Sequence, residues 1–196
     1  VTFMFLNNIV SSIGQEAMNS WALCSRTDQI ILIPALAISG ATISMAGQNY
    51  GRGNLDRLRQ IYLRNIIFSL VLVAILAVFY NAGARMIYTA FSSVEGVVNR
   101  SVGQVRALSF TFLGISTAMI TGATFQSIGS PVPALIITII RMMIIPIPLA
   151  YLLVHAFGMG MTGVFIGMGL GNVLALPFSW TWAWLYLRKL TVRSIG

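Results

Sequence analysis

The 196-residue sequence predicts an all-α membrane protein, a polytopic transmembrane helix bundle with five full spans and a partial one. Three observations predict it. Hydrophobic residues make up 57% of the chain and charged residues 8%, where soluble domains carry roughly 25% charged residues. Several apolar runs are long enough to cross a hydrocarbon core, which takes about 20 helical residues; residues 30–46 and 65–84 hold no charge at all. The arginines gather at the ends of these runs, so the net charge of +8 points to anionic headgroups of the lipid bilayer as partner and not to nucleic acid.

Residues 1–13 are apolar but too short to span, and read as the end of a helix. The chain opens Val1-Thr2-Phe3 without methionine or a basic leader, which predicts no signal peptide and a start inside that helix. The next helix is predicted over 15–47. Stepping 100 degrees per residue, Gln15, Asn19, Ala22, Arg26 and Gln29 fall within about 40 degrees of one line, which continues through Ile33, Ala37, Gly40 and Ser44. A membrane helix with such a face turns it towards a bundle interior or a wet cavity. Pro34 removes a backbone donor and predicts a kink. A third helix is expected over 55–80, with Asn54 as N-cap and Asp56 in the first turn. Residues 81–101 read as a mixed interfacial segment.

Further helices are predicted over 103–127, 132–155 and 163–187. Gln104, Thr111, Gly122 and Gln126 fall near one face of the first. In the second, Pro146 and Pro148 leave the carbonyls of Met142 and Ile144 without helical donors and predict a kink. The last opens with Gly163, Gly167 and Gly171 at four-residue spacing, a ridge for close packing. It ends in Trp180, Trp182, Trp184 and Tyr186 followed by Arg188, Lys189 and Arg193. Aromatics followed by basic residues mark a helix end at a cytoplasmic interface.

Alternating spans put the loop around 47–60, the turn at 128–131 and the C-terminus on one side. That side holds Arg52, Arg57, Arg59, Arg64, Arg188, Lys189 and Arg193, against Arg26, Arg85, Arg100 and Arg106 on the other. The positive-inside rule places the first set, and the C-terminus, in the cytoplasm. No enzyme is predicted. His155 is the single histidine and Cys24 the single cysteine, so no zinc or haem site is indicated. The glycine-rich run Gly47-Gln48-Asn49-Tyr50-Gly51-Arg52-Gly53 lacks the Lys-Ser/Thr of a phosphate-cradling loop.

Ala46-Gly47-Gln48-Asn49-Tyr50-Gly51-Arg52-Gly53-Asn54, at the end of a membrane helix, resembles the signature of multidrug and toxic compound extrusion (MATE) transporters. Three further stretches are similar to the same family's second lobe: Ile13–Ala17 leading to Ser25-Arg26-Thr27-Asp28-Gln29; Phe125-Gln126-Ser127-Ile128-Gly129-Ser130-Pro131; and Arg141 followed by Pro146-Ile147-Pro148-Leu149-Ala150-Tyr151. Within the family the chain looks most like the bacterial subgroup of DNA-damage-inducible exporters. The resemblance implies that residues 1–196 are the C-terminal lobe of a 12-helix, two-lobe antiporter in the bacterial inner membrane. It implies export of small amphipathic or cationic compounds, a missing N-terminal lobe as partner, and no cofactor beyond a coupling ion, H+ or Na+. Arg52 and Leu58 depart from the small residues usual at those places.

The signature residues are Gly47, Gln48, Asn49, Gly51, Gly53 and Asn54. The candidate substrate and cation cavity residues are Gln15, Glu16, Asn19, Arg26, Asp28, Gln29, Gln126 and Arg141, with no catalytic residue and no metal ligand. Each has a plainer reading as well. Arg26, Asp28 and Gln29 would suit a solvated helix end, Glu16 an interface, Gln126 a helix cap and Arg141 a snorkelling cation. Asp28 lies about 200 degrees from Arg26 on the wheel, so the two are not a same-face pair. Two other functions fit the pattern: a flippase of lipid-linked precursors, which calls for more cavity cations than Arg26 and Arg141, and a non-transporting membrane scaffold. A homologous six-helix lobe in the coding region upstream of Val1 would support a transporter over the scaffold.

Overall fold

In the computed structural model the described residues, 2–193, form helices joined by short links, with side chains described for 4–190. Val1, where the first helix was expected to begin, and the Arg193 side chain lie outside these. Helix α1 is Thr2–Ser11, α2 Gln15–Gly51, α3 Leu55–Phe91 and α4 Glu95–Leu108. A 3₁₀ turn, Ser109–Thr111, joins α4 to α5, Phe112–Ser127; α6 is Pro131–Ile139, α7 Pro146–His155 and α8 Gly160–Arg193. Five of these units are long and apolar enough to cross a membrane: Gln15–Gly51, Leu55–Phe91, Glu95–Ser127, Pro131–His155 and Gly160–Leu190. At 37 residues each, α2 and α3 are about 55 Å long at 1.5 Å per residue. They overrun a core of about 30 Å, so their polar ends project through the headgroups.

Several boundaries differ from the sequence reading. The interruption at 47–60 narrows to Arg52-Gly53-Asn54, because α2 runs on to Gly51 and α3 begins at Leu55. The segment 81–101, expected as an interfacial loop, is helix up to Phe91 and again from Glu95, separated by Ser92-Ser93-Val94. Asn54 is the N-cap of α3, its side chain accepting from Arg57 N at 3.0 Å. Gly53 alone of the signature glycines has a left-handed backbone, φ 71°, which is what closes a three-residue link. Gly47 instead lets α2 approach the end of α5, where an added Cβ would stand 3.4 Å from the Ser127 carbonyl oxygen. α2 continues through Pro34.

The proline pair resolves into a local change of winding. Residues Ile140–Ile144 form a π-helical turn, closed by Ile145 N donating to Ile140 O at 3.2 Å. Pro146 and Pro148 have no N–H to continue the α ladder, and a π turn absorbs the mismatch with one extra residue. The glycine ridge packs against this bend. A Cβ on Gly171 would stand 2.8 Å from the Arg141 carbonyl oxygen, and one on Gly167 2.9 Å from Ala150 N. At Gly114 there is no room at all, since a Cβ would overlap the Asn172 carbonyl of the crossing α8.

The core lies in three clusters along the bundle. Ala46, Leu58, Tyr62, Phe125, Ile128, Ala183 and Leu187 pack at one end, so the α2–α3 link, the α5–α6 turn and the end of α8 lie together. The Ser130 and Tyr186 hydroxyls are hydrogen-bonded there at 2.9 Å. At the opposite end α1 packs on α2 and α8, and Trp21 donates to Asn7 Oδ1 at 2.7 Å.

Candidate functional site

A cavity of about 400 Å³ opens between α1, α2, α4, α5, the π turn and α8. Its α2 wall is Trp21, Ser25, Asp28, Gln29 and Leu32, one row at spacings of four, three, one and three residues and so one face of a helix. Leu108, Phe112, Ile115, Met119, Met142 and Met168 supply most of the remaining apolar surface. Asp28, Gln29, Gln104, Thr111, Arg141 and Asn172 bring polar groups into it. An apolar pocket holding a few convergent polar groups is the usual form of a small-molecule site. Charged residues inside a membrane bundle are costly unless they serve such a site.

Asp28 is held from α3. The Tyr80 hydroxyl donates to Asp28 Oδ1 at 3.0 Å, and having done so it accepts from its neighbours. Tyr80 and Tyr88 hydroxyls are 2.5 Å apart, and Thr27 reaches both, at 2.7 and 2.8 Å. Tyr80, Tyr88 and Thr27 are buried, so the carboxylate is fixed by a closed hydroxyl cluster. Gln104 of α4 lines the same cavity.

Arg141 is held from α8 and the 3₁₀ turn before α5. Its Nη1 donates to Asn172 Oδ1 at 3.2 Å, and Asn172 Nδ2 donates to Thr111 Oγ1 at 3.3 Å. Thr111 in turn donates to the Leu108 carbonyl at 2.7 Å. The close approach at Gly114 sets this relay, because it is Asn172 that crosses there. Asn172 and Gln104 are 7% and 2% exposed.

Of the residues proposed from sequence, Asp28, Gln29 and Arg141 line one cavity and the other five do not. The row Gln15, Asn19, Ala22, Arg26, Gln29, Ile33, Ala37, Gly40 and Ser44 is exposed along its whole length. It is the face of α2 turned away from the packing within this chain, and Gln29 sits where that face meets the cavity. Arg26 and Asn19 border a shallow groove with Phe91 and Ser92; Arg26 also borders a second one with Ile33 and Leu36. Glu16 pairs with Arg100 at 3.5 Å, both side chains about half exposed. Gln15 is exposed at the first turn of α2, and Gln126 at the last turn of α5. Gln15 and Glu16 lie in the first turn of α2, apart from the residues that line the cavity. Gln126 is an end position too, its carbonyl accepting from Gly129 N at 3.1 Å.

Sequence reasoning missed Asn172, Tyr80 and Tyr88. Asn172 is the only asparagine within the apolar stretch of α8, a signal that could have found it. The tyrosines carried none, since in a membrane helix they read as packing. Among the described residues no group of three or more His, Cys, Asp or Glu side chains could hold a metal ion.

Comparison with known proteins agrees with this architecture. The chain is 41% identical over 54 residues to the "Probable multidrug resistance protein YpnP" of Bacillus subtilis, covering 28% of this chain and 12% of that protein. It is 22% identical over 144 residues to the "FAD transporter" of Shewanella oneidensis, covering 74% of this chain and 32% of that one. A solved structure, a MATE in the bent conformation, superposes over the whole chain with a TM-score of 0.94 and 26% identity, and the chain covers 43% of it. The chain thus spans less than half the length of each of these relatives, as one lobe of a larger bundle would. The MatE family model matches residues 1–152, most of the sequence and all of the cavity walls before α8, and this multi-pass membrane chain belongs to the MatE family.

Proposed function

We propose that this chain is the C-terminal lobe of an exporter that carries small amphipathic compounds out of the bacterial cytoplasm by cation-coupled antiport. The observation that carries the reading is the cavity between Asp28 and Arg141, where two ionisable groups face an apolar chamber within membrane-spanning helices. A chain that only scaffolds a membrane complex gains nothing from burying them there. The names of the relatives support the same reading: one is called a multidrug resistance protein and one an FAD transporter. In the full protein the first lobe would face the exposed row of α2, and the two lobes would alternate in opening to either side. The coupling ion, H+ or Na+, would act through the carboxylates of both lobes; in this one Asp28 is the carboxylate the cavity presents. The subgroup reading, a DNA-damage-inducible-exporter-like protein, is part of this proposal.

The test is efflux from cells expressing the full-length protein. Asp28→Asn is expected to reduce export of a fluorescent cation by about tenfold or more at unchanged protein level, the loss of one charge-assisted contact. Arg26→Ala, on the outer face, is expected to leave it within about twofold. Equal export by wild type and Asp28→Asn would remove the cavity from the transport path.

A further inference from the structure

Asp28 and Arg141 line the same small cavity, yet they are not an ion pair; among the described residues the ion pair is Glu16 with Arg100, on the surface. Opposite charges in a low-dielectric chamber attract strongly, and each is restrained by its own scaffold. Tyr80 anchors Asp28. The relay through Asn172, Thr111 and Leu108 anchors one arm of the Arg141 fork. The rest of the fork is idle: Nε of Arg141 is buried without a partner, and so is the carbonyl oxygen of Gln104. A guanidinium whose orientation is fixed in advance, with N–H groups to spare, is a binding group for a planar two-oxygen anion.

Resting on the export reading above, we propose that Arg141 is a carboxylate subsite, so that the compounds this lobe binds carry an acid group on an apolar, ring-bearing body. The complement of unused groups sets the class. Arg141 supplies donors and a single positive charge; Asp28 and Gln104, which line the same chamber, offer acceptors to the ligand's donors. A carboxylate brings one charge to one guanidinium, whereas a doubly charged phosphate would leave excess negative charge facing Asp28. Phe112, Met119, Met142 and Met168 give the adaptable apolar surface that a ring system needs. The Asn172 side-chain carbonyl oxygen, accepting from Nη1, fixes the fork before a ligand arrives, which lowers the ordering cost of binding.

The matched probes are rhodamine B and its ethyl ester, which share one cationic ring system and differ only in the free carboxylate. Their binding to the purified full-length protein is read by fluorescence anisotropy. The acid is expected to bind about tenfold tighter than the ester. Arg141→Gln is expected to remove that preference by weakening the acid alone, with the ester's Kd within about twofold of wild type, which also shows the variant folded. Arg141→Lys keeps the charge without the fork and is expected to restore part of the preference. Equal affinity of wild type for the two probes, or a parallel weakening of both by Arg141→Gln, overturns the subsite. If the ester is still exported from cells in that case, the export reading stands alone; if neither probe is exported or bound, both fall.

Discussion

Gly114 does more for the site than any polar residue near it, because it decides where Asn172 lies. Helix α8 crosses α5 so closely that a single methyl group at position 114 would overlap a backbone carbonyl, and a backbone atom cannot rotate aside. Overpacking a fitted contact costs about 1–3 kcal/mol, and with backbone as the obstacle Gly114→Ala belongs at the upper end, about 3 kcal/mol. Gly103→Ala, where nothing lies within 4 Å of the added carbon, is expected to stabilise α4 slightly, by about 0.5 kcal/mol. Thermal unfolding of the purified full-length variants checks the contrast, and equal melting temperatures for the two would show that the crossing is looser than drawn. If Gly114→Ala still folds, the displaced Asn172 releases Arg141, so the acid preference of the cavity should fall with it. Nothing in the sequence distinguishes Gly114 from the open Gly103; the close contact exists only once α8 is in place.

At the scale of helix pairs, α2 and α3 are joined through one carboxylate. Tyr80 lies on the face of α3 that repeats as Tyr62, Ile66, Val73, Ala77, Tyr80, Ala84 and Tyr88, all buried, and its hydroxyl is the direct donor to Asp28. Removing that hydroxyl leaves a carboxylate short of a donor in an enclosed place, at about 2 kcal/mol. Tyr80→Phe is therefore expected to be destabilising in the native background and much less so beside Asp28→Asn, with a coupling of about 1 kcal/mol in the double-mutant cycle. Strict additivity in denaturant unfolding would mean that the helices are held by apolar packing alone. The polar row on α2 was legible as a periodicity, and so was the oddness of Asp28 lying off it. What periodicity lacks is the identity of the neighbour. The longest polar stripe is exposed in this chain, and the cavity within it is lined by the adjacent row of Trp21, Ser25, Asp28 and Leu32. The bend at Pro146 was legible too, as two missing donors, but not its form; a π turn and a plain kink leave the same sequence trace.

For the molecule as a whole, the decisive asymmetry is one of ends. The structure gathers the α2–α3 link, the α5–α6 turn and the end of α8 around a common core of Ala46, Leu58, Ile128 and Leu187. That end carries Arg52, Arg57, Arg59, Arg188 and Lys189, with the Arg188 guanidinium 5.5 Å over the Trp184 ring. The other end holds both Glu16 and Glu95 and fewer cations. Counting charges along the sequence had already separated the same two groups, since membrane helices must alternate direction, and this much of the architecture follows from apolar run length alone. Because arginines retained in the cytoplasm set orientation, the basic end is expected to face inward. Cys24 is fully buried and gives little background, so single cysteines can report on sidedness once any cysteines elsewhere in the full protein are replaced. Asn54→Cys in the α2–α3 link should react with an impermeant maleimide only after the membrane is opened. Ser93→Cys, in the exposed break between α3 and α4, should react in intact spheroplasts. The reverse pattern would place Arg52–Arg64 outside, and the cavity would then have to load from the opposite face.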